Sequence, residues 1–250
     1  MQEWIKAGLW GLFSGSALII GSLIGYYIKL SQKTIAIVMG FGAGVLISAL
    51  CFELMEEAFI QSGLLPASAG FILGAAIYFL ANLYLEQKGA KHRKRSQGQQ
   101  PTEDEDEGSG MAIAMGALLD GIPESIAIGI SLLEGGAVSA ATVIAIFLSN
   151  LPEGLSSATG MKKAGRSKLF IFGVWICIAI LSGLASVFGY TVFSQLSEVY
   201  IGATLAIAAG AILNMLSATM IPEAFEKGHN LIGLITVLGF LSSFLLSHLA

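Results

Sequence analysis

The chain has 250 residues, 55% of them hydrophobic and 12% charged, with a formal charge of −4 and a mean hydropathy of +0.78. That balance is too apolar for a soluble domain of this length and predicts an all-α, polytopic membrane protein with one transmembrane domain over residues 1–250. The negative charge comes partly from the acidic run 103–107 and says little about partners; no nucleic-acid partner is expected.

A spanning helix needs about 20 mainly apolar residues to cross a hydrocarbon core of about 30 Å. Eight stretches meet that need, in chain order 7–28, 34–60, 67–87, 110–133, 137–161, 169–190, 200–225 and 231–249. The first is of spanning length and lacks a small-residue cleavage pattern, so it is expected to remain. Cys51 and Cys177 both fall inside spans, offer no disulfide framework and are read as packing residues.

Basic residues sort the loops. Lys29 and Lys33 follow the first span, Lys88, Lys91, Arg93, Lys94 and Arg95 the third, Lys162, Lys163, Arg166 and Lys168 the fifth, and Lys227 the seventh. The intervening loops have no Lys or Arg, and only Lys6 breaks the pattern. The positive-inside rule then puts these loops in the cytoplasm and both termini outside, and an even span count agrees. The longest loop, 89–109, is basic first (KHRKR) and acidic afterwards (TEDEDE), with Gly, Ser and Gln around both. It is expected to be a disordered cytoplasmic linker whose basic residues orient the chain; a cation-collecting tether is the alternative, weakened by its single histidine, His92.

The fourth and fifth spans share a pattern. "DGIPESIAIG" from Asp120 aligns with "SNLPEGLSSA" from Ser149, so that Pro123-Glu124 and Pro152-Glu153 coincide, and Pro222-Glu223 is a third such pair near the end of the seventh span. The second and seventh spans also match, at Gly44 with Gly210, Leu50 with Leu216, and Glu57-Ala58-Phe59 with Glu223-Ala224-Phe225. Opposite directions of these two spans predict inverted repeats in a 3+2+3 arrangement, a pattern suited to alternating access.

Asp120 and Glu124 are four residues apart and Asn150 and Glu153 three apart, so each pair shares a helical face. The short connection around 134–136 makes the two spans antiparallel neighbours whose faces meet. An ionised carboxylate at the bilayer centre costs about 2.5–3.5 kcal/mol even on the lenient scale. With no Lys or Arg inside the spans, compensation is expected from protons, water or a bound cation. Proline frees the carbonyls of Leu119 and Leu148 as further oxygen donors, and Gly121 and Gly154 permit close approach. Two glutamates, an aspartate and an amide form an oxygen set suited to a divalent cation. Protonated acids that merely bond between helices are the plainer alternative. Ser149, Ser156, Ser157 and Thr159 are read as helix-packing hydroxyls.

At these residues the chain resembles the ZIP (Zrt-, Irt-like protein) family of divalent-metal transporters, bacterial type, whose fourth and fifth spans carry a motif of the form H-N-x-P-E-G. "DGIPES" stands at the first copy and "SNLPEG" at the second. The resemblance implies metal contact at Asp120, Glu124, Asn150 and Glu153, with Ser149 at the second histidine position and Gly121 replacing the usual asparagine. Both motif histidines are missing, which lowers the expected preference for zinc in favour of manganese or ferrous iron. It further implies uptake of the metal toward the cytoplasm by an elevator-like displacement, in a multi-pass protein of the cell membrane that forms a homodimer.

Glu57 and Glu223 are candidate outer and inner way-stations, with Glu53 and Glu56 as lesser entrance acids; solvation at helix ends is their plainer reading. Two other functions fit the same residues: a non-transporting metal or proton sensor of this fold, and a proton-coupled carrier of a small organic cation. An enzyme is not expected. No nucleophile–base pair or H-E-x-x-H motif occurs, and His92, His229 and His248 lie at loops or ends.

Overall fold

The computed structural model describes residues 2–95, 98–106, 108–133 and 140–249, and the described residues form helices without strands. The connection expected at 134–136 lies outside them. In chain order the helices are α1 (Glu3–Tyr27), α2 (Gln32–Ala49), α3 (Glu56–Ser62), α4 (Leu64–Glu86), α5 (Ser109–Ser131), α6 (Ala140–Lys163), α7 (Lys168–Phe193), α8 (Glu198–Met215), α9 (Ile221–Gly228) and α10 (Asn230–Leu249). A π turn at Leu50–Met55 joins α2 to α3, and another at Leu216–Met220 joins α8 to α9. Counted with these junctions, seven helices among the described residues are long and apolar enough to cross a membrane. α6, which carries Asn150 and Glu153, is a further helix of 24 residues, about 36 Å at the usual rise.

The helices pack in two groups. α1 lies against α6 and α7, and α7 against α5; α2 lies against α10, and α8 against α4. The groups meet where α2 crosses α6 and α8 crosses α5. The larger core, with Leu46, Leu50, Ile128, Ile146, Leu205 and Met215, fills this junction. A second core around Leu18, Ile113, Met161 and Trp175 holds the α1 group together. α4 and α10 turn large side chains such as Leu65, Ile72 and Val237 outward. In water that would be an aggregation hazard; against lipid tails it is the ordinary surface of a spanning helix.

Lipid supplies no hydrophobic drive for helix pairing, so close backbone contact has to hold the pairs. Glycine allows it. A Cβ on Gly44 would strike the Thr236 carbonyl, and one on Gly239 the Phe41 carbonyl, which locks α2 to α10. Gly210 stands in the same way against Phe71, and Gly74 against Ile207, locking α8 to α4.

Helices α5 and α6 continue through Pro123 and Pro152. At Pro152 the freed Leu148 carbonyl and the proline ring face Gly42 of α2, where a Cβ would lie 3.3 Å from each. The proline of α6 therefore coincides with the crossing of the two helix groups.

Candidate functional site

Helices α5 and α6 bring their acids inside the bundle: Asp120 is 2% exposed, Glu124 2% and Glu153 7%. The four-residue spacing puts Asp120 and Glu124 on one face of α5, as expected. What lies against them is not expected. Arg93 and Lys94, from the long loop, are 2% and 3% exposed and enter this cluster. The expectation that no basic residue is available to the buried acids is thus corrected, because a loop side chain reaches where no spanning-helix sequence places one.

Arg93 is held on three sides. Its Nε lies 3.1 Å from Asp120 Oδ2 and its Nη2 3.0 Å from Oδ1, while Nη1 donates to Asn82 Oδ1 at 2.7 Å. Nη2 also donates to the Tyr78 hydroxyl at 2.9 Å, and that hydroxyl donates to Asp120. A planar fork of donors is suited to such bidentate pairing with a carboxylate. Lys94 Nζ stands 3.1 Å from Glu153 Oε2 and 3.3 Å from Asp120 Oδ2, so one ammonium bridges α5 and α6. Burial opposes the Arg93 charge, but the Asp120 carboxylate prevails and lifts its pKa. Burial likewise opposes the charge on Lys94, and Asp120 with Glu153 raises it. His92, one residue earlier, is lowered by burial and then by Arg95 and Lys91.

The third acid is left over. Glu124 feels the charges of Glu153, Lys94 and Asp120, yet it makes no hydrogen bond or ion pair among the described residues. Asn150 and Ser149 are buried but turned to other tasks: the Asn150 amide donates to the Ser14 carbonyl of α1 at 3.1 Å, and the Ser149 hydroxyl to the Ile146 carbonyl of its own helix at 2.9 Å. Among the described residues no group of three or more His, Cys, Asp or Glu is gathered closely enough to hold a metal ion. Asp120 and Glu153 are gathered around Lys94 instead.

Several side chains of the described part of the loop bond to the helices. Ala90–His92 form a single 3-10 turn. The Gln100 amide, buried, donates to the carbonyls of Arg93 at 2.9 Å and of Arg95 and Ser157 at 3.2 Å. The Ser156 hydroxyl donates to the Lys94 carbonyl. Farther along, Arg166 pairs with Glu103 and donates to Ser109 Oγ at 2.6 Å. This stretch takes partners from α4, α5 and α6.

The way-station candidates lie at opposite ends of the helices. Glu223 sits just beyond the second π turn, 3.4 Å from Ser156 Oγ, on the side where the loop enters. Glu57 accepts a hydrogen bond from Gln61 at 2.7 Å and, with Glu198 and Ser194, lines a cavity of about 540 Å³ at the far end. Glu53 belongs to the first π turn and is half-buried, and Glu56 is exposed. Tyr78, Asn82 and Gln100 escaped the sequence reading, which took Arg93 and Lys94 only as loop charges. Tyr78 and Asn82, four residues apart on α4, were the available signal, since an asparagine inside a spanning helix needs a partner.

No protein-family model matches the chain. It is similar to the zinc transporter ZupT of Clostridium perfringens (strain 13 / Type A), with 27% identity over 92% of this chain and 90% of that protein. With seven apolar helices of spanning length among the described residues, this similarity makes the chain a multi-pass membrane protein.

Proposed function

We propose that this chain is a ZIP-family carrier, not an enzyme, that moves a divalent metal ion across the cell membrane toward the cytoplasm. The observation that carries this reading is Glu124, a carboxyl group buried on a spanning helix beside two further buried acids and without a bonding partner among the described residues. A group so placed has given up its water and requires a cation or a proton. Similarity to a protein named as a zinc transporter favours the cation.

In this reading Asp120, Glu124, Asn150 and Glu153 replace the water of the ion, with Ser149 at the edge of the site. An oxygen set without imidazole favours manganese or ferrous iron relative to a histidine site, while zinc remains a substrate. Glu57 and Glu53 serve the outer approach and Glu223 the inner exit. α6 is the eighth span, and both termini face outward. Matching π turns at Leu50 and Leu216, which stand at equal distances after Gly44 and Gly210, support the inverted 3+2+3 repeats. The two helix groups support an elevator-like cycle in which α1, α5, α6 and α7 slide against the others. The homodimer rests on the family resemblance.

Flux of manganese, ferrous iron, zinc and cadmium into proteoliposomes, at two pH values, tests the proposal. Glu124→Ala and Glu153→Ala are expected to abolish uptake while still inserting. Undiminished flux in both variants would defeat the assignment.

A further inference from the structure

We infer that Lys94 is a tethered cation that competes with the metal for the carboxylate site, so that cargo and Lys94 occupy it in turn. The inference rests on the transport reading above.

Geometry is the first argument. Lys94 Nζ lies between Glu153 at 3.1 Å and Asp120 at 3.3 Å, the bridging position that a dication shared by α5 and α6 has to take. Charge is the second. Asp120 and Glu153 balance Arg93 and Lys94, and Glu124 beside them has no basic partner among the described residues. A dication in place of Lys94, with Arg93 left where it is, brings these carboxylates one further positive charge. The unpartnered Glu124 is the group that gains.

The two neighbouring cations are built for different tasks. Arg93 is anchored by Asp120, Asn82 and Tyr78, and a guanidinium keeps its charge throughout. Lys94 has a point charge on a flexible stem, and among the described residues its head is held by carboxylates alone. Its backbone is seated with care. Gly116 of α5 leaves room for the Arg93 side chain, and Gly160 of α6 for the Arg95 carbonyl and Gln100; a Cβ at either would collide. Gln100 and Ser156 complete the seat. On the loop side a cavity of about 50 Å³ lies beside Lys94, lined also by Thr219, Pro222 and Glu223.

A permanent structural ion pair is the competing account, and the two differ in what metal does to Lys94. The primary test labels the full-length protein with an amine-acetylating reagent, with and without manganese or zinc, and measures Lys94 against Lys91 by peptide mass spectrometry. Acetylation of Lys94 is expected to rise about tenfold with metal, since a site free of Lys94 about one-tenth of the time binds cargo about tenfold more weakly than one always free. By the same arithmetic Lys94→Gln lowers the apparent KM for flux about tenfold. Gln100→Ala keeps every charge, loosens the seat and lowers KM by about threefold.

Flux with unchanged Lys94 acetylation and unchanged KM in both variants overturns the inference and leaves the transport reading intact. A silent wild type with an active Lys94→Gln supports it. Absence of flux in wild type and both variants, all correctly inserted, removes the transport reading and this inference with it. Should Lys94→Gln fail to insert, acetylation of the wild type and the Gln100→Ala flux decide.

Discussion

The two Pro-Glu copies have the same spacing and opposite electrostatic situations. In α5 the leading Asp120 is gripped by Arg93, Lys94 and Tyr78, while Glu124 one turn later has no partner among the described residues. In α6 the order is reversed: the leading Ser149 and Asn150 form neutral bonds to Ile146 and Ser14, and Glu153 is the residue paired with Lys94. The comparison teaches that a motif repeated along a chain need not be repeated in function. Each copy contributes one acid to the Lys94 bridge, and only the first holds an acid in reserve.

The strongest way to break this comparison is at Arg93. Arg93→Met strips Asp120 of its bidentate partner and leaves a buried charge poorly matched, a loss of about 3–5 kcal/mol. Thermal unfolding in detergent is expected to show it, and Arg93→Met combined with Asp120→Leu is expected to recover most of the loss. A single-variant cost below the effect of an ordinary surface substitution would show that the pair does not hold the loop.

The two glutamates sharpen the contrast. Glu153→Gln breaks a charge-assisted contact and is expected to cost about 1.5–3 kcal/mol. Glu124→Gln removes no bond of the described structure and is expected to cost less than that. Equal unfolding temperatures for the two variants would contradict the difference between the copies, whereas flux is expected to fall in both. Asn150→Ala comes last. Loss of its bond to the Ser14 carbonyl is expected to cost about 1 kcal/mol in unfolding experiments, and a larger drop in flux than in stability would mark Asn150 as a ligand as well as a tie to α1.

Much of the helix layout was legible. Span positions follow from runs of apolar residues, and the observed helices agree with them to within a few residues at most ends. The burial of Asp120, Glu124 and Glu153 was also legible, because acids inside such runs have nowhere else to go in a packed bundle. Less visible were the π turns, where Leu50–Met55 resembles ordinary helix in composition. Least visible was the loop. Arg93 and Lys94 stand in a stretch whose neighbours in sequence are polar, and the residues that draw them inward, Tyr78, Asn82, Asp120 and Glu153, come from three different helices.

By itself the sequence determined which segments are apolar and long and which acids lie within them, since both are local properties of the chain. Only the tertiary structure decided how those acids are neutralised. Coulomb attraction acts between groups near in space, and Lys94 lies 59 residues from Glu153 along the chain but 3.1 Å away across the site.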